Sequence, residues 1–311
     1  MKWKLRKSYY NQMLNFFVLS LLCLILLSPS QSVAQVEHDD LIGVNVAIYN
    51  GLGVMGSSYI ALTRMFEWMN ATVESVTATE ILDSGLDAYD IFVIPGGSES
   101  TASSELESEG EQIIKDFVAN GGSYFGICGG ATFGALYLHL FNGYMGPVGE
   151  PGAQIHITTM HVNQSCNGPN LSDLSYNFTT MYYASQRFTP TPYQQTPIHT
   201  IATYEYDGSA GMVAFEFENG SVFLSSPHPE FEENSNRDDT TSYDYLDDPD
   251  SEWDLLLRVS KWLVESSYVE PASSTTTPTP TTDDMVLIAI TTTGIVIVGI
   301  VVSVLYRRTR G

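Results

Sequence analysis

The sequence predicts an α/β protein built on a parallel sheet with helices on both faces and additional β-strands in its C-terminal half. Three observations lead there. Short apolar runs at residues 44–49, 90–94 and 123–127 alternate with longer segments whose apolar residues recur at helical spacing. A strand buried on both faces has no polar side to show, and a parallel neighbour is reached only through a crossover, usually a helix. Two of these runs end in glycine turns, Pro95-Gly96-Gly97 and Gly126-Ile127-Cys128-Gly129-Gly130. From residue 153 to 224 the chain becomes richer in Thr, Tyr and Val with turn residues between, which favours strands and hairpins.

In chain order, residues 44–49 form the first buried strand. A helix follows over 57–69, with Ile60, Met65, Phe66 and Met69 near helical spacing, then a strand over 72–76. The run 90–94 is the third strand, 109–120 is a helix closed by Gly121 and Gly122, and 123–127 is the strand that feeds the second glycine turn. Strands or hairpins are expected around 154–161, 179–185, 199–206, 212–217 and 221–225, and an amphipathic helix over 252–264 closes the domain.

The chain has 311 residues, and its ends read as topology signals. Residues 1–7 are basic, 14–27 are apolar except for Asn15 and Ser20, and Ser32-Val33-Ala34 offers small residues for cleavage. Residues 1–34 are therefore expected to be a signal peptide, which takes Cys23 out of the chemistry. The apolar run 285–306 would span roughly 33 Å as a helix, enough to cross a bilayer. Arg307, Arg308 and Arg310 follow it and hold the tail 307–311 in the cytoplasm. The Thr/Pro-rich stretch 271–284 cannot bury a core and reads as an extended stalk open to O-glycosylation. What remains, 41–270, fits one extracytoplasmic domain held at the cell membrane by a single span.

A formal charge of −23 and a pI near 4.3 argue against nucleic acid or anionic lipid as a partner of that domain. The densest acidic run, 230–254, includes Asp244, Asp247, Asp248 and Asp250. It lacks the glycine and spacing of a calcium loop and reads as a solvated surface loop, so no metal is expected. His156, His161 and Cys166 do not make a metal site either, because five residues along a strand put the two histidines on opposite faces. His139 and His199 carry no distinguishing context. Asn70, Asn163, Asn170, Asn177 and Asn219 open Asn-x-Ser/Thr sequons.

The chemistry centres on Cys128. A buried strand turning sharply into a helix holds the residue at its apex outward, and the flanking glycines relieve collisions with neighbouring backbone. The following helix aims unpaired N–H groups and its positive dipole end at the sulfur. About a hundred residues later, Ser226-Pro227-His228-Pro229-Glu230 supplies a base and a carboxylate that points to the same side of extended chain. Cys128, His228 and Glu230 then form a nucleophile, base and orienter. The Cys128 sulfur is expected about 3 to 4 Å from one imidazole nitrogen and Glu230 roughly 2.6 to 3.2 Å from the other. Gly96 and Gly97 lie at the carboxyl end of their strand, where ligands gather in open α/β sheets; their N–H groups and that of Gly129 are candidates for an oxyanion hole. Cys166 sits in a polar, turn-rich stretch and is expected to stay unpaired, because a bridge to the apex cysteine would disarm it. Gly51-Leu52-Gly53-Val54-Met55-Gly56 follows a strand and opens a helix as a dinucleotide fingerprint would, with Glu74 near the ribose position. It leaves the elbow and the His-Pro-Glu unexplained, so it is read as a glycine-rich loop beside the active edge, and no cofactor is expected.

Taken together, Pro95-Gly96-Gly97, Gly126-Ile127-Cys128-Gly129-Gly130 and Pro227-His228-Pro229-Glu230 resemble the class I glutamine amidotransferase-like superfamily. The chain looks most like the domain named for the N-terminal part of fungal biotin protein ligases. The resemblance covers most of 41–262 and implies a flavodoxin-like sheet with Cys128 as nucleophile, His228 as base and Glu230 as its orienter. Glutaminase domains continue after the elbow with a His-Gln pair that helps hold glutamine, whereas this chain reads Ala131-Thr132. The expectation is therefore thiol hydrolysis of an amide, peptide or ester rather than glutamine-dependent transfer. The alternative is a non-enzymatic surface module that binds a small amide or peptide in the same cleft, with a relic triad. The sequence sets neither the substrate nor the oligomeric state.

Overall fold

The computed structural model describes residues 40–192, 196–232, 235–248 and 250–267. The expected signal peptide (1–34), stalk (271–284), span (285–306) and tail (307–311) lie outside the described residues. Among the described residues no helix is long and apolar enough to cross a membrane.

The strands are β1 (Asn45–Tyr49), β2 (Thr72–Val76), β3 (Ile91–Ile94), β4 (Ser123–Ile127), β5 (Gly143–Pro147), β6 (Ile155–Val162), β7 (Asn177–Tyr183), β8 (Gln186–Pro190), β9 (His199–Tyr204), β10 (Ala210–Phe217) and β11 (Gly220–Ser225). The helices are α1 (Gly56–Trp68), α2 (Ala78–Ser84), α3 (Glu99–Ala119), α4 (Gly129–Thr132, running into a π turn at Phe133–Tyr137) and α5 (Trp253–Ser266). The sheet runs β2-β1-β3-β4-β11-β10-β9-β6-β7, with β5 and β8 paired off β10. β2, β1, β3, β4 and β11 are mutually parallel, and the strands beyond β11 alternate in direction. This is the expected flavodoxin-like α/β sheet with an antiparallel extension in the C-terminal half.

Side chains of the central strands divide between two cores, as period-2 alternation requires. Val46, Ile48, Val93, Phe125 and Phe223 pack with α1 and α5 on one face. Ala47, Tyr49, Phe92, Tyr124 and Leu224 pack with α2, α3 and the segment after α4 on the other. Helix α5 runs alongside β11 from its Glu230 end to its start. The indole of Trp253 at its start donates to the Glu230 carbonyl at 3.0 Å, while Ser267 just past its end meets the Ser221 hydroxyl at 2.7 Å and the Ser123 hydroxyl at 3.0 Å.

Helix α3 begins ten residues before the expected start of 109, because Ala102, Leu106, Gly110, Ile114 and Val118 form one buried stripe at four-residue spacing inside a polar sequence. The stripe survives a break at Glu107, whose φ is 54°. Helix α2 was not expected, although Thr77 and Glu80 carry the capping-box signature and both of its hydrogen bonds form. Strands β5 and β8 were also unexpected; they pair with each other, and β8 pairs with the main sheet at Ala210 and Phe188.

The segment 230–254 meets the expectation of a solvated loop only in part: Asp244, Asp247 and Asp250 are exposed, but Asp248 and several neighbours are not. Glu230, Phe231, Glu232, Asp238, Asp248 and Trp253 are all buried. Asp238 accepts the backbone N–H groups of Glu232 and Thr240, each at 3.2 Å, and Asp248 takes the Thr179 hydroxyl at 2.6 Å. Buried carboxylates are tolerable because each is met by donors. Burial still raises Asp238 to about 6. No group of three or more metal-ligating side chains forms among the described residues. His156 stacks on Tyr182 and His161 on Tyr176, and both cysteines of the described domain are free.

Candidate active site

Cys128 follows directly on β4 with φ 50° and ψ −109°, a left-handed conformation that a non-glycine residue takes only under constraint. Two hydrogen bonds and two close backbone approaches impose it. The Cys128 N–H donates to the Ser225 carbonyl at the end of β11 at 2.7 Å, and its carbonyl accepts the Thr132 N–H at 3.0 Å. A Cβ on Gly129 would lie 2.1 Å from the Gly97 carbonyl oxygen, and one on Gly130 would lie 2.0 Å from that of Ile94. Only glycine permits backbones this close, so the turn is locked and its apex side chain is thrown outward.

His228 and Glu230 arrive from β11, which pairs with β4 in register from Ser221 and Ser123 to Ser225 and Ile127. Three residues past that register the chain bridges to β7, the His228 N–H donating to the Met181 carbonyl at 3.0 Å. Both side chains are fully buried. Nδ1 of His228 lies 2.9 Å from Glu230 Oε1, inside the expected range. Nε2 is buried without a hydrogen bond of good geometry, and Cys128 is the group left to engage it. Burial alone would lower the imidazole, but the charges of Cys128 and then Glu230 outweigh it and push His228 up to about 10. The rings of Phe231 and Tyr183 flank the imidazole at 5.7 and 6.2 Å.

A fourth residue belongs to this assembly. Ser58, fully buried in α1, donates its hydroxyl to Glu230 Oε1 at 2.7 Å and accepts the Gly96 N–H at 2.9 Å. The sequence offered no signal for it, since a serine two residues into an amphipathic helix looks like any helix start. The same contact corrects one candidate. The Gly96 N–H is committed to Ser58, so it is not free to meet an oxyanion. Gly96 serves instead as the place where backbone passes the imidazole, since a Cβ there would lie 2.6 Å from His228 Cε1.

Gly97, with φ 148°, and Gly129 touch backbone to backbone and line one cavity with Cys128. The cavity measures about 310 Å³ and is closed on the far side by Tyr183, Ala184, Ser185 and Gln186 at the β7–β8 turn. Glu99 is the one acidic side chain in its wall, and no lysine or arginine lines it. The loop 51–56 is drawn into the same edge. Met55 N–H donates to the Gly96 carbonyl and Ser98 N–H to the Gly53 carbonyl, each at 2.7 Å, which is the glycine-rich loop beside the active edge rather than an open phosphate cradle. Cys166 lies elsewhere; burial raises its thiol, which accepts the Gly168 N–H at 3.3 Å.

Residues 44–146 match the family described as "Biotin-protein ligase, N terminal". Over 221 residues the chain is 25% identical to the biotin–protein ligase of Schizosaccharomyces pombe, an alignment covering 60% of this chain and 33% of that protein. Over 165 residues it is 26% identical to an uncharacterized protein of Chlamydia muridarum, covering 45% of this chain and 60% of that one. The chain thus spans a third of the length of the first relative and three fifths of the second. Among solved structures, 72% of it superposes on 92% of a ThuA-like protein from Bacteroides uniformis with a TM-score of 0.50 at 13% identity. PurLQS from Thermotoga maritima is similar over 71% of this chain and 99% of that one, with a TM-score of 0.47 at 15% identity. By its strand order and elbow the domain has a flavodoxin-like α/β fold similar to that of the ThuA-like protein, and its residues 44–146 match the biotin-protein ligase N-terminal family.

Proposed function

We propose that this domain is a cysteine-dependent hydrolase of a small amide, peptide or ester, displayed outside the cell on a single membrane span. The observation that carries the reading is the forced left-handed backbone of Cys128 above a fully buried His228–Glu230 pair. Burying two ionisable side chains and straining a turn both cost stability, and a site is where such costs are tolerated.

In this mechanism the Cys128 sulfur attacks the substrate carbonyl and the negative charge moves to the carbonyl oxygen, where the N–H groups of Gly97 and Gly129 meet it. His228, held protonated between Cys128 and Glu230, gives its proton to the departing amine or alcohol as the C–N or C–O bond breaks. The product is a thioester on Cys128. Water then attacks, His228 takes its proton, and the acid leaves with the thiol restored. The cavity of about 310 Å³ lies at the small end for ligand sites, which suits a compact acyl group. Ala131 and Thr132 in place of a glutamine-holding pair favour hydrolysis over ammonia transfer, and the partial alignment with a biotin–protein ligase leaves that protein's ligation with no support here.

A thiol-directed alkylating probe on the purified domain tests the reading. Labelling of Cys128 at least tenfold faster than Cys166 supports it. Equal rates would replace it with the non-enzymatic binding module. Location is tested on intact cells, where added protease should digest the domain while a tag after Gly311 stays protected.

A further inference from the structure

The sequons are not scattered over the fold. β1, β2, β3, β4, β7, β9 and β11 all run one way and β6 and β10 run the other. One edge of the sheet therefore carries the ends of β3, β4 and β11, where Gly97, Cys128 and His228 lie. Every sequon lies on the opposite edge. Asn70 precedes β2, Asn163 follows β6, Asn170 sits between β6 and β7, Asn177 opens β7, and Asn219 is in the turn from β10 to β11. Along β7 alone, Asn177 is six residues from Tyr183 of the cavity wall, about 20 Å of strand. Asn70, Asn170, Asn177 and Asn219 are exposed. Asn163 is half-buried and its amide donates to the Thr200 carbonyl at 2.9 Å, so it is left out of the set.

The chain also leaves the described domain on that edge. Ser267, past the end of α5, is tied to Ser123 and Ser221 at the first residues of β4 and β11. Asn170 lies beside α5 as well, its carbonyl 3.5 Å from the Arg258 guanidinium.

We propose that Asn70, Asn170, Asn177 and Asn219 carry N-linked glycans that ring the edge at which the described domain ends, leaving the Cys128 edge bare. In each modification the side-chain amide nitrogen bonds to the anomeric carbon of a sugar donated as a lipid-linked oligosaccharyl phosphate. The carbon–oxygen bond to phosphate breaks, the phosphate keeps the electron pair, and the amide loses one proton. Sequons fixed only as surface polarity would have no reason to avoid the cleft edge. A bulky, hydrated glycan at that edge would block a cavity of about 310 Å³, whereas one a strand-length away does not.

The experiment expresses the full chain in a eukaryotic secretory host, maps glycopeptides, and measures Cys128 labelling by a thiol probe before and after enzymatic removal of glycans. Occupancy of the four exposed sites with a labelling rate changed less than twofold by deglycosylation is expected. A positive control places a sugar at the cleft, since Glu99→Asn creates a sequon with Ser100 and Thr101. Labelling should fall at least tenfold in glycosylated Glu99→Asn relative to the same variant made with N-glycosylation inhibited, and should recover on deglycosylation. Four unmodified native sites would overturn the proposal, as would a native glycan that itself slows Cys128 labelling. Occupied sites with no selective Cys128 labelling would sink the hydrolase reading and leave the glycan assignment standing.

Discussion

The Ser58 hydroxyl donates to Glu230 Oε1 at 2.7 Å across 172 residues of chain, and Ser58 Oγ itself accepts the Gly96 N–H at 2.9 Å. One buried hydroxyl thus fixes the carboxylate that orients His228 and the turn that carries Gly97. A carboxylate held by two donors cannot swing away from the imidazole, which sets the imidazole's direction toward Cys128.

Ser58→Ala should remove that restraint and leave buried Glu230 short of a donor. The expected cost is about 1–3 kcal/mol of stability by denaturant unfolding, with Cys128 labelling slowed and its pH profile displaced. A variant that lost stability with an unchanged pH profile would reduce Ser58 to a packing residue.

Cys128→Ala should abolish probe labelling at the cleft and all hydrolysis. His228→Ala should slow thioester formation by roughly 10²–10⁴-fold, and Glu230→Gln by less, because it keeps one hydrogen bond to Nδ1. Cys166→Ala should leave both rates unchanged; loss of labelling there with Cys128 intact contradicts the site.

His228 is raised from 6.5 to about 10 in the folded protein, so the folded state holds a proton that the unfolded chain loses first. Its contribution to stability is complete below pH 6.5 and disappears as pH rises through about 10. Unfolding free energies of the wild type and His228→Gln, compared from pH 6 to pH 10 or so, should converge toward the alkaline end. Parallel curves would mean that the imidazole is neutral in the fold.

Asp238 acts in the same direction in a lower pH window. Raised from 3.8 to about 6, it binds its proton more tightly when folded, so stability falls as pH rises through that window and the cost is complete above it. Asp238→Asn should flatten the pH dependence between those values while giving up one of the two N–H contacts to Glu232 and Thr240.

Ammonia release from free glutamine should be at or near background with the purified domain, while a small amide or ester that fits the cavity turns over. The residues after the elbow that face it are Gly129 and Thr132, which offer backbone and a hydroxyl but no pair of long polar side chains. Robust glutaminase activity would overturn the hydrolase reading in favour of glutamine-dependent transfer.

The sequence by itself determined the parallel core, the elbow and the pairing of His228 with Glu230, because each is written locally: continuous apolar runs, glycines where backbones must touch, and a base and carboxylate two residues apart. It also carried helix α2 in its capping box, a signal that was there to be used. Tertiary structure alone decided the rest. Ser58 is an ordinary helix serine until α1 is laid beside the end of β11, and Gly96 is an oxyanion candidate until its N–H is seen to be taken by that serine. The acidic segment 230–254 reads as solvated from composition, and Asp244, Asp247 and Asp250 are, yet Asp238 and Asp248 are buried because backbone N–H and hydroxyl groups satisfy them. The division of sequons and nucleophile between opposite sheet edges is likewise invisible in one dimension, since it depends on the direction in which each strand enters the sheet, which hydrogen-bond register sets and local sequence does not.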